Sequence, residues 1–170
     1  MMVSRFKYLK MGHGLYNMNE KEIIAELEKE IIKFRKDQSN ENLTVLLNLL
    51  IKARLVVPCQ MRVEPGYEDT INNLKKGDKL EDLDGVTFVA EILKASNGTK
   101  WIPYFTNPYQ MPKNYLSQYS KMDYRFDEIC NEQLINNEEI NGIVINPFGE
   151  SFYLDKQLLK FLFDVLQDNN

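Results

Sequence analysis

The chain has 170 residues, of which 44% are hydrophobic and 27% are charged, and its formal net charge is −4. This length and composition are typical of one soluble globular domain that needs neither a metal nor a disulfide to fold. The acidic balance argues against general nucleic-acid binding, and no apolar run approaches the roughly 20 residues that span a bilayer. We therefore expect a cytoplasmic protein with no membrane partner.

A capping motif marks the first helix. Residues 1–18 show no sustained period and are interpreted as a flexible leader, which leaves 19–170 as a single expected domain. Asn19, with Glu22 three places further on, has the pattern of a capping box. An apolar stripe at helical spacing then predicts a helix that ends at about Asp37.

A second helix and a strand are predicted next. Asn40 is expected to cap a helix over 41–53, which is apolar on most sides and is therefore predicted to be central. The apolar run at 54–63 predicts a strand, and Pro58 within it indicates a sheet edge or a bulge. The polar stretch that follows predicts a single short helix near 68–76.

The middle of the chain carries a hairpin signal. Two β-rich runs, 86–95 and 100–105, are joined by Asn-Gly at 97–98, the preferred pair for a tight turn. By strand alternation, Trp101 and Phe105 are expected to share the face that points towards the core.

The C-terminal part is expected to hold a helix, a second hairpin and a last helix. A helix is predicted over 123–136, strands over 142–145 and 152–154, and a final helix capped by Asp155 that ends at about Leu166. The order of elements predicts an α+β fold, with a mostly antiparallel or mixed sheet and helices packed on it. The last helix is apolar on most sides, so it is either buried against the sheet or partly exposed for a partner.

Few residues in the chain suit catalysis or metal binding. The only histidine is His13, in the expected leader, and neither a catalytic triad nor a zinc site can be assembled from one histidine. Cys59 and Cys130 are interpreted as buried, reduced thiols. The acids of 64–69 and 79–85 are interpreted as solvated turns. We therefore expect no catalytic residue, no metal and no cofactor.

Charge and aromatic residues are distributed unevenly. Between Lys94 and Arg125 there are five basic residues and one acid, Asp123, with aromatic residues interleaved. Such a mixture can bind single-stranded nucleic acid, but it equally suits a protein core and the edge of a protein-binding surface. Nucleic-acid binding is therefore the weakest of the hypotheses.

Three stretches carry a family resemblance, namely LLNLLIKARLVVPCQM, KWIPYFTN and GIVINPFGESFYL. Together they resemble the SseB protein N-terminal domain family over about 41–166. The resemblance implies a bacterial protein with the fold of that family and no established enzymatic activity.

The Asn-Pro-Phe-Gly turn after 142–145 raises one question. Pro147 is expected to end the strand and to keep Asn146 extended, while Gly149 takes a positive φ. The side chain of Asn146 is expected to bond the backbone two residues on. The turn does not require Phe148, which either folds back onto the core or stands out at the surface.

A second strand, ending near residue 105, is also followed by Asn-Pro. If the two strands are neighbours, their ends form one composite surface, which we call the rim. The rim comprises Phe105, Thr106, Asn107, Tyr109, Asn146 and Phe148. With little charge, it suits a peptide or a small neutral molecule better than catalysis.

Two functions follow as hypotheses. The first is a non-enzymatic protein-interaction or regulatory module, whose partner is an unidentified protein or a second copy of the chain. The alternative is a small-ligand-binding protein or enzyme that uses the rim around Asn107 and Asn146.

Overall fold

A computed structural model of the chain describes residues 18–73, 75 and 83–168. The expected leader, apart from Met18, lies outside the described residues, as does its His13. The helices are α1 (Glu20–Lys36), α2 (Asn40–Leu50), α3 (Glu68–Asn72), α4 (Lys113–Gln118), α5 (Phe126–Ile129), α6 (Glu132–Asn136) and α7 (Lys156–Asp168). The strands are β1 (Arg54–Val63), β2 (Val86–Ala90), β3 (Leu93–Lys94), β4 (Lys100–Tyr104), β5 (Ser120–Arg125), β6 (Gly142–Ile145) and β7 (Phe152–Asp155).

The strands form two sheets, which confirms the predicted α+β class. One sheet is antiparallel, in the order β2-β1-β5, and the other has the order β3-β4-β6-β7. In the second sheet β4 and β6 run parallel, whereas the other pairs are antiparallel. The backbones of Val56 and Phe105 exchange two hydrogen bonds of 2.8 Å, which join the two sheets.

The capping box predicted for α1 is confirmed. The Asn19 side chain accepts from the Glu22 N–H at 3.1 Å, and the Glu22 carboxylate accepts from the Asn19 N–H at 2.8 Å. These bonds satisfy donors that the first turn of a helix leaves unpaired. The apolar stripe then buries Ile23, Leu27 and Ile31 in the main core.

The helix α2 is central, as its apolar residues predict, but its cap differs. Ser39, not Asn40, is the capping residue, and its hydroxyl accepts from the Asn42 N–H at 3.3 Å. The helix also ends earlier than expected, at Leu50. Its four fully buried leucines are Leu46, Leu47, Leu49 and Leu50.

The bounds of β1 are as predicted, but the expected edge position of Pro58 is wrong, because β1 is the middle strand of its sheet. Successive residues of a strand direct their backbone groups to opposite sides. Val56 bonds to Phe105 on one side, and two residues later the Pro58 carbonyl accepts from the Glu91 N–H on that same side. Pro58 thus lies where the two sheets separate.

The predicted strand over 86–95 is divided between the sheets. β2 pairs with β1, and after the Glu91 N–H bonds to Pro58 the chain crosses to form β3, which pairs with β4. The Asn-Gly turn joins β3 to β4 as predicted. Gly98 there has a φ of +85°, which glycine adopts at little cost.

The single helix predicted over 123–136 is wrong. Its first residues belong to β5, which pairs with β1 along its whole length, and the remainder forms α5 and α6. Asn131 separates the two helices by capping α6, where its side chain accepts from the Leu134 N–H at 2.9 Å. Pairing with a neighbouring strand has overridden the local helical pattern.

The four-stranded sheet has two different faces. Tyr104, with Ile143, Ile145 and Leu154, faces the main core. Trp101 does not face that core as expected, because it contacts the half-exposed Tyr153 edge-on, with ring centroids 5.0 Å apart. Phe105 is fully buried, yet it lies on the same outer side.

The last helix is only partly buried. The carboxylate of Asp155 accepts from the Leu158 N–H at 2.9 Å, which confirms the predicted cap. Leu159 and Leu162 are buried, whereas the other apolar residues of α7 are half-buried. Cys59 and Cys130 are buried and form no disulfide, as predicted. None of the described helices is long and apolar enough to cross a membrane.

Candidate functional site

The ends of β4 and β6 meet at one edge of the sheet. The two strands are parallel neighbours, paired from Trp101 with Gly142 to Tyr104 with Ile145. The next residue, Asn146, donates its N–H to the Tyr104 carbonyl at 2.8 Å. The segments that follow the two strands therefore leave the sheet side by side, which is the condition for the rim.

Asn146 connects the two segments through its side chain. It is buried, its amide oxygen accepts from the Thr106 N–H at 3.0 Å, and its amide nitrogen donates to the Thr106 hydroxyl at 3.0 Å. These hydrogen bonds fix the first residue after β6, Asn146, against the second residue after β4, Thr106.

The conformation of the turn differs from the expectation. Asn146 is not extended but left-handed, with a φ of +50°, a region that asparagine tolerates better than most residues. Gly149 does not take a positive φ; it closes the turn by donating its N–H to the Asn146 carbonyl at 3.1 Å. The Asn146 side chain bonds the neighbouring segment rather than the backbone two residues on.

A carboxylate from α1 lies beneath the rim. The Oε1 atom of Glu28 accepts from the Thr106 hydroxyl, from the Asn107 amide at 2.7 Å and from the Gln110 amide at 3.2 Å. Hydrogen bonds to an ionised acceptor are stronger than neutral ones. Glu28 therefore attaches the segment after β4 to α1.

Sequence reasoning did not find Glu28 or Gln110. Glu28 follows the apolar stripe of α1 on a helix rich in exposed acids, and its partners lie 78 to 82 residues away along the chain. No local pattern distinguishes it from the solvated glutamates of the same helix.

A second contact with α1 lies at the surface. Arg35 forms an ion pair of 2.7 Å with Glu150 and donates to the Gly149 carbonyl at 3.4 Å. Because both side chains of the pair are about half exposed, the pair contributes little to stability. It does place the turn after β6 next to the same helix.

Aromatic rings form the outer part of the rim. Phe148 is 50% exposed; its ring stacks on Phe105 at 6.2 Å and meets Tyr115 edge-on at 5.1 Å. Of the two outcomes left open for Phe148, the surface position is the one found. Tyr109 is 95% exposed, in the 3₁₀ turn Pro108–Gln110 that Asn107 caps. Burial raises the pKa of Tyr115 to about 12, so this phenol is neutral at physiological pH.

The structure thus brings all six predicted rim residues to one edge. Its polar groups bond mainly to each other and to Glu28, while its exposed surface is aromatic. Among the described residues, no group of three or more His, Cys, Asp or Glu side chains is arranged to hold a metal ion. The polar side chains of the rim thus form a hydrogen-bonded layer, and the rings of Tyr109 and Phe148 form the exposed surface.

Comparison with known protein families identifies a matching family model. The model of the SseB protein N-terminal domain family matches residues 27–160, which is most of the chain. The match begins earlier than the resemblance over 41–166 and includes Glu28. No curated protein and no solved structure matches the chain. The chain belongs to the SseB protein N-terminal domain family.

Proposed function

We propose that the chain is a non-enzymatic protein-interaction module with a regulatory role, and that the rim is its binding surface. The partner is an extended, uncharged segment of another protein, carrying an apolar side chain that packs between Phe148 and Tyr109. The setting is the bacterial cytoplasm.

One observation supports this proposal most. Two large rings, Tyr109 and Phe148, are 95% and 50% exposed on segments that hydrogen bonds hold in place. Tyrosine and other aromatic residues are enriched at the centres of protein interfaces. A preorganised backbone also reduces the entropy that binding loses.

The chemistry of the partner follows from the charges of the rim. The six rim residues carry no charge. The Glu28 carboxylate, which lies beneath them, already accepts three hydrogen bonds. Glu150 is likewise paired with Arg35. A charged segment would lose hydration without gaining a partner, so a neutral one is favoured.

The alternative, a small ligand or substrate at the rim, has less support. It relies on the polar side chains of Thr106, Asn107 and Asn146, and these bond to one another or to Glu28. A ligand would have to break those bonds before it could use them.

A photo-crosslinking experiment in cells tests the proposal. The residue p-benzoylphenylalanine replaces Tyr109, and the matched control replaces Tyr67, a 41% exposed tyrosine in the segment after β1. We expect one discrete adduct from position 109, its loss when Phe148→Ala is added, and no such adduct from position 67. The mass of the adduct distinguishes another protein from a second copy of the chain.

Two results would contradict the proposal. The first is the absence of any adduct from position 109. The second is the same adducts from both positions, because non-specific surface contact would produce them. Circular dichroism of the purified Phe148→Ala chain establishes that it is folded, so that loss of the adduct reports on binding.

A further inference from the structure

A cleft of about 300 Å³ lies on a different part of the surface from the rim. None of the rim residues lines it. Its apolar lining comes from two strands and two short helices, and the residues are Ile102, Tyr104, Tyr124, Ile129 and Leu134. The volume is at the lower end of the range for small-molecule sites, which are mostly apolar with a few polar groups.

The topology of the two sheets creates this cleft. β5 lies on one side of β1, whereas β4 approaches β1 from the other side, where Phe105 bonds to Val56. Tyr124 and Tyr104 therefore reach the cleft from opposite sides of β1. The remaining side is closed by α5 and α6, the two short helices found where the sequence predicted one long helix.

Tyr104 is a buried polar residue of the lining. It is 7% exposed, and it lines the cleft. Burial also raises the pKa of Tyr104, so the hydroxyl keeps its proton and remains a donor. The hydroxyl therefore suits a ligand that carries a hydrogen-bond acceptor.

The rest of the lining is polar. Its residues are Glu128, Asn131, Gln133 and Asn137. Asn131 donates to the Glu128 carbonyl at 2.9 Å and accepts from the Leu134 N–H at 2.9 Å, so its side chain is already held in place. Glu128 is the one charged residue of the lining, and a carboxylate disfavours anions.

We propose that this cleft binds a small planar heteroaromatic molecule, neutral or cationic, that accepts a hydrogen bond from the Tyr104 hydroxyl. The ring packs on the apolar lining between Tyr104 and Tyr124, and the Glu128 carboxylate excludes anionic analogues. This site is independent of the rim and of any protein partner bound there.

Three probes of the same ring test both the place and the charge preference. They are nicotinamide, which is neutral, 1-methylnicotinamide, which is cationic, and nicotinate, which is anionic. Each is titrated into the ¹⁵N-labelled chain at concentrations up to about 10 mM, the range in which fragments of this size bind. We expect saturable shifts of the amides around Ile102, Tyr104 and Leu134 with the first two probes. Nicotinate is expected to bind more weakly than either.

Two matched substitutions test the role of the hydroxyl. Tyr104→Phe removes it from the cleft, and Tyr153→Phe removes the hydroxyl of a half-exposed tyrosine on the opposite face of the same sheet. We expect the dissociation constant for nicotinamide to rise about three- to tenfold in the first variant, the worth of one hydrogen bond, and to stay unchanged in the second.

Each alternative result would overturn the proposal. These results are shifts that map elsewhere or do not saturate, nicotinate binding as tightly as nicotinamide, and a folded Tyr104→Phe chain that binds like the wild type. If Tyr104→Phe does not fold, the wild-type titration alone decides through the mapped position and the order of the three probes.

Discussion

Glu28 illustrates how one carboxylate oxygen can organise a surface. Three donors from the segment after β4 converge on its Oε1 atom, and one of them, the Thr106 hydroxyl, is buried. Removing an acceptor leaves its donors partly unpaired, and an unpaired buried donor costs more than the net contribution of its bond. The stability of the rim therefore depends on a residue of α1 that lies outside the rim.

We predict that Glu28→Ala lowers the free energy of unfolding by about 2 kcal/mol, because the three hydrogen bonds to the partly buried carboxylate are lost. Urea denaturation followed by circular dichroism measures this change. The matched control is Glu26→Ala, on the same helix, whose carboxylate pairs with the exposed Lys29. It is expected to leave the urea midpoint unchanged. Equal midpoints for the two variants would contradict the role assigned to Glu28.

At the residue scale the sequence predicts which residues of the rim come together, but not how they bond. Two Asn-Pro strand ends are visible in the sequence, and parallel pairing of β4 with β6 brings them to one edge. The left-handed Asn146 and the Glu28 bonds depend on atoms contributed 40 and 78 residues away along the chain. No local preference encodes such distant partners.

Gly142 is the position at which β6 is least tolerant of change. Its φ is +152°, a conformation that residues with a side chain rarely adopt, and a Cβ there would overlap the backbone carbonyl of Leu154 in β7. β6 is the buried strand that links β4 to β7. A shift of its first residue would therefore disturb both neighbours.

We predict that Gly142→Ala lowers the free energy of unfolding by about 3 kcal/mol or more, through backbone strain and the steric overlap with β7. The control is Gly149→Ala, in the exposed turn after the same strand, where an added Cβ would meet nothing closer than 3.8 Å. That change is expected to stay within about 0.5 kcal/mol of the wild type. Denaturant midpoints give both values, and a Gly142→Ala chain as stable as the control would contradict the strained geometry.

At the element scale the bounds of α1, β1, β6 and α7 were predictable because their caps and apolar patterns are local. The errors fall where a neighbouring strand decides the conformation. The last three residues of β5, 123–125, resemble a helix start in isolation, yet the whole of β5 pairs with β1. The apolar pattern over 86–95 predicts one strand, but its two parts, β2 and β3, pair in different sheets.

For the whole molecule, one hydrophobic core unites both sheets with α1, α2 and α7. This agrees with the expectation of a single domain over 19–170, which stays a prediction. Cys59 and Cys130 both lie in that core, although they come from different parts of the chain. Their ionisation therefore reports on the integrity of the whole core rather than on one element.

Burial raises the pKa of Cys59 to about 11 and that of Cys130 to about 12, because a thiolate loses hydration inside the core. In the unfolded chain a thiol titrates near pH 8.5. A group whose pKa is raised by folding contributes full stability below its unfolded pKa and loses that contribution as the pH rises towards its folded pKa. The free energy of unfolding should therefore fall between about pH 8.5 and the folded values.

We accordingly predict that both thiols resist Ellman's reagent in the native chain at pH 7.5 and react together once urea unfolds it. Stability measured by urea denaturation should decline as the pH rises above about 8.5, and the decline should be smaller in a Cys59→Ala, Cys130→Ala chain. Rapid labelling of either cysteine without denaturant would contradict the burial of that thiol. A core that unfolds cooperatively exposes both thiols in one transition. If one cysteine is labelled at a clearly lower urea concentration than the other, the core unfolds in separate parts.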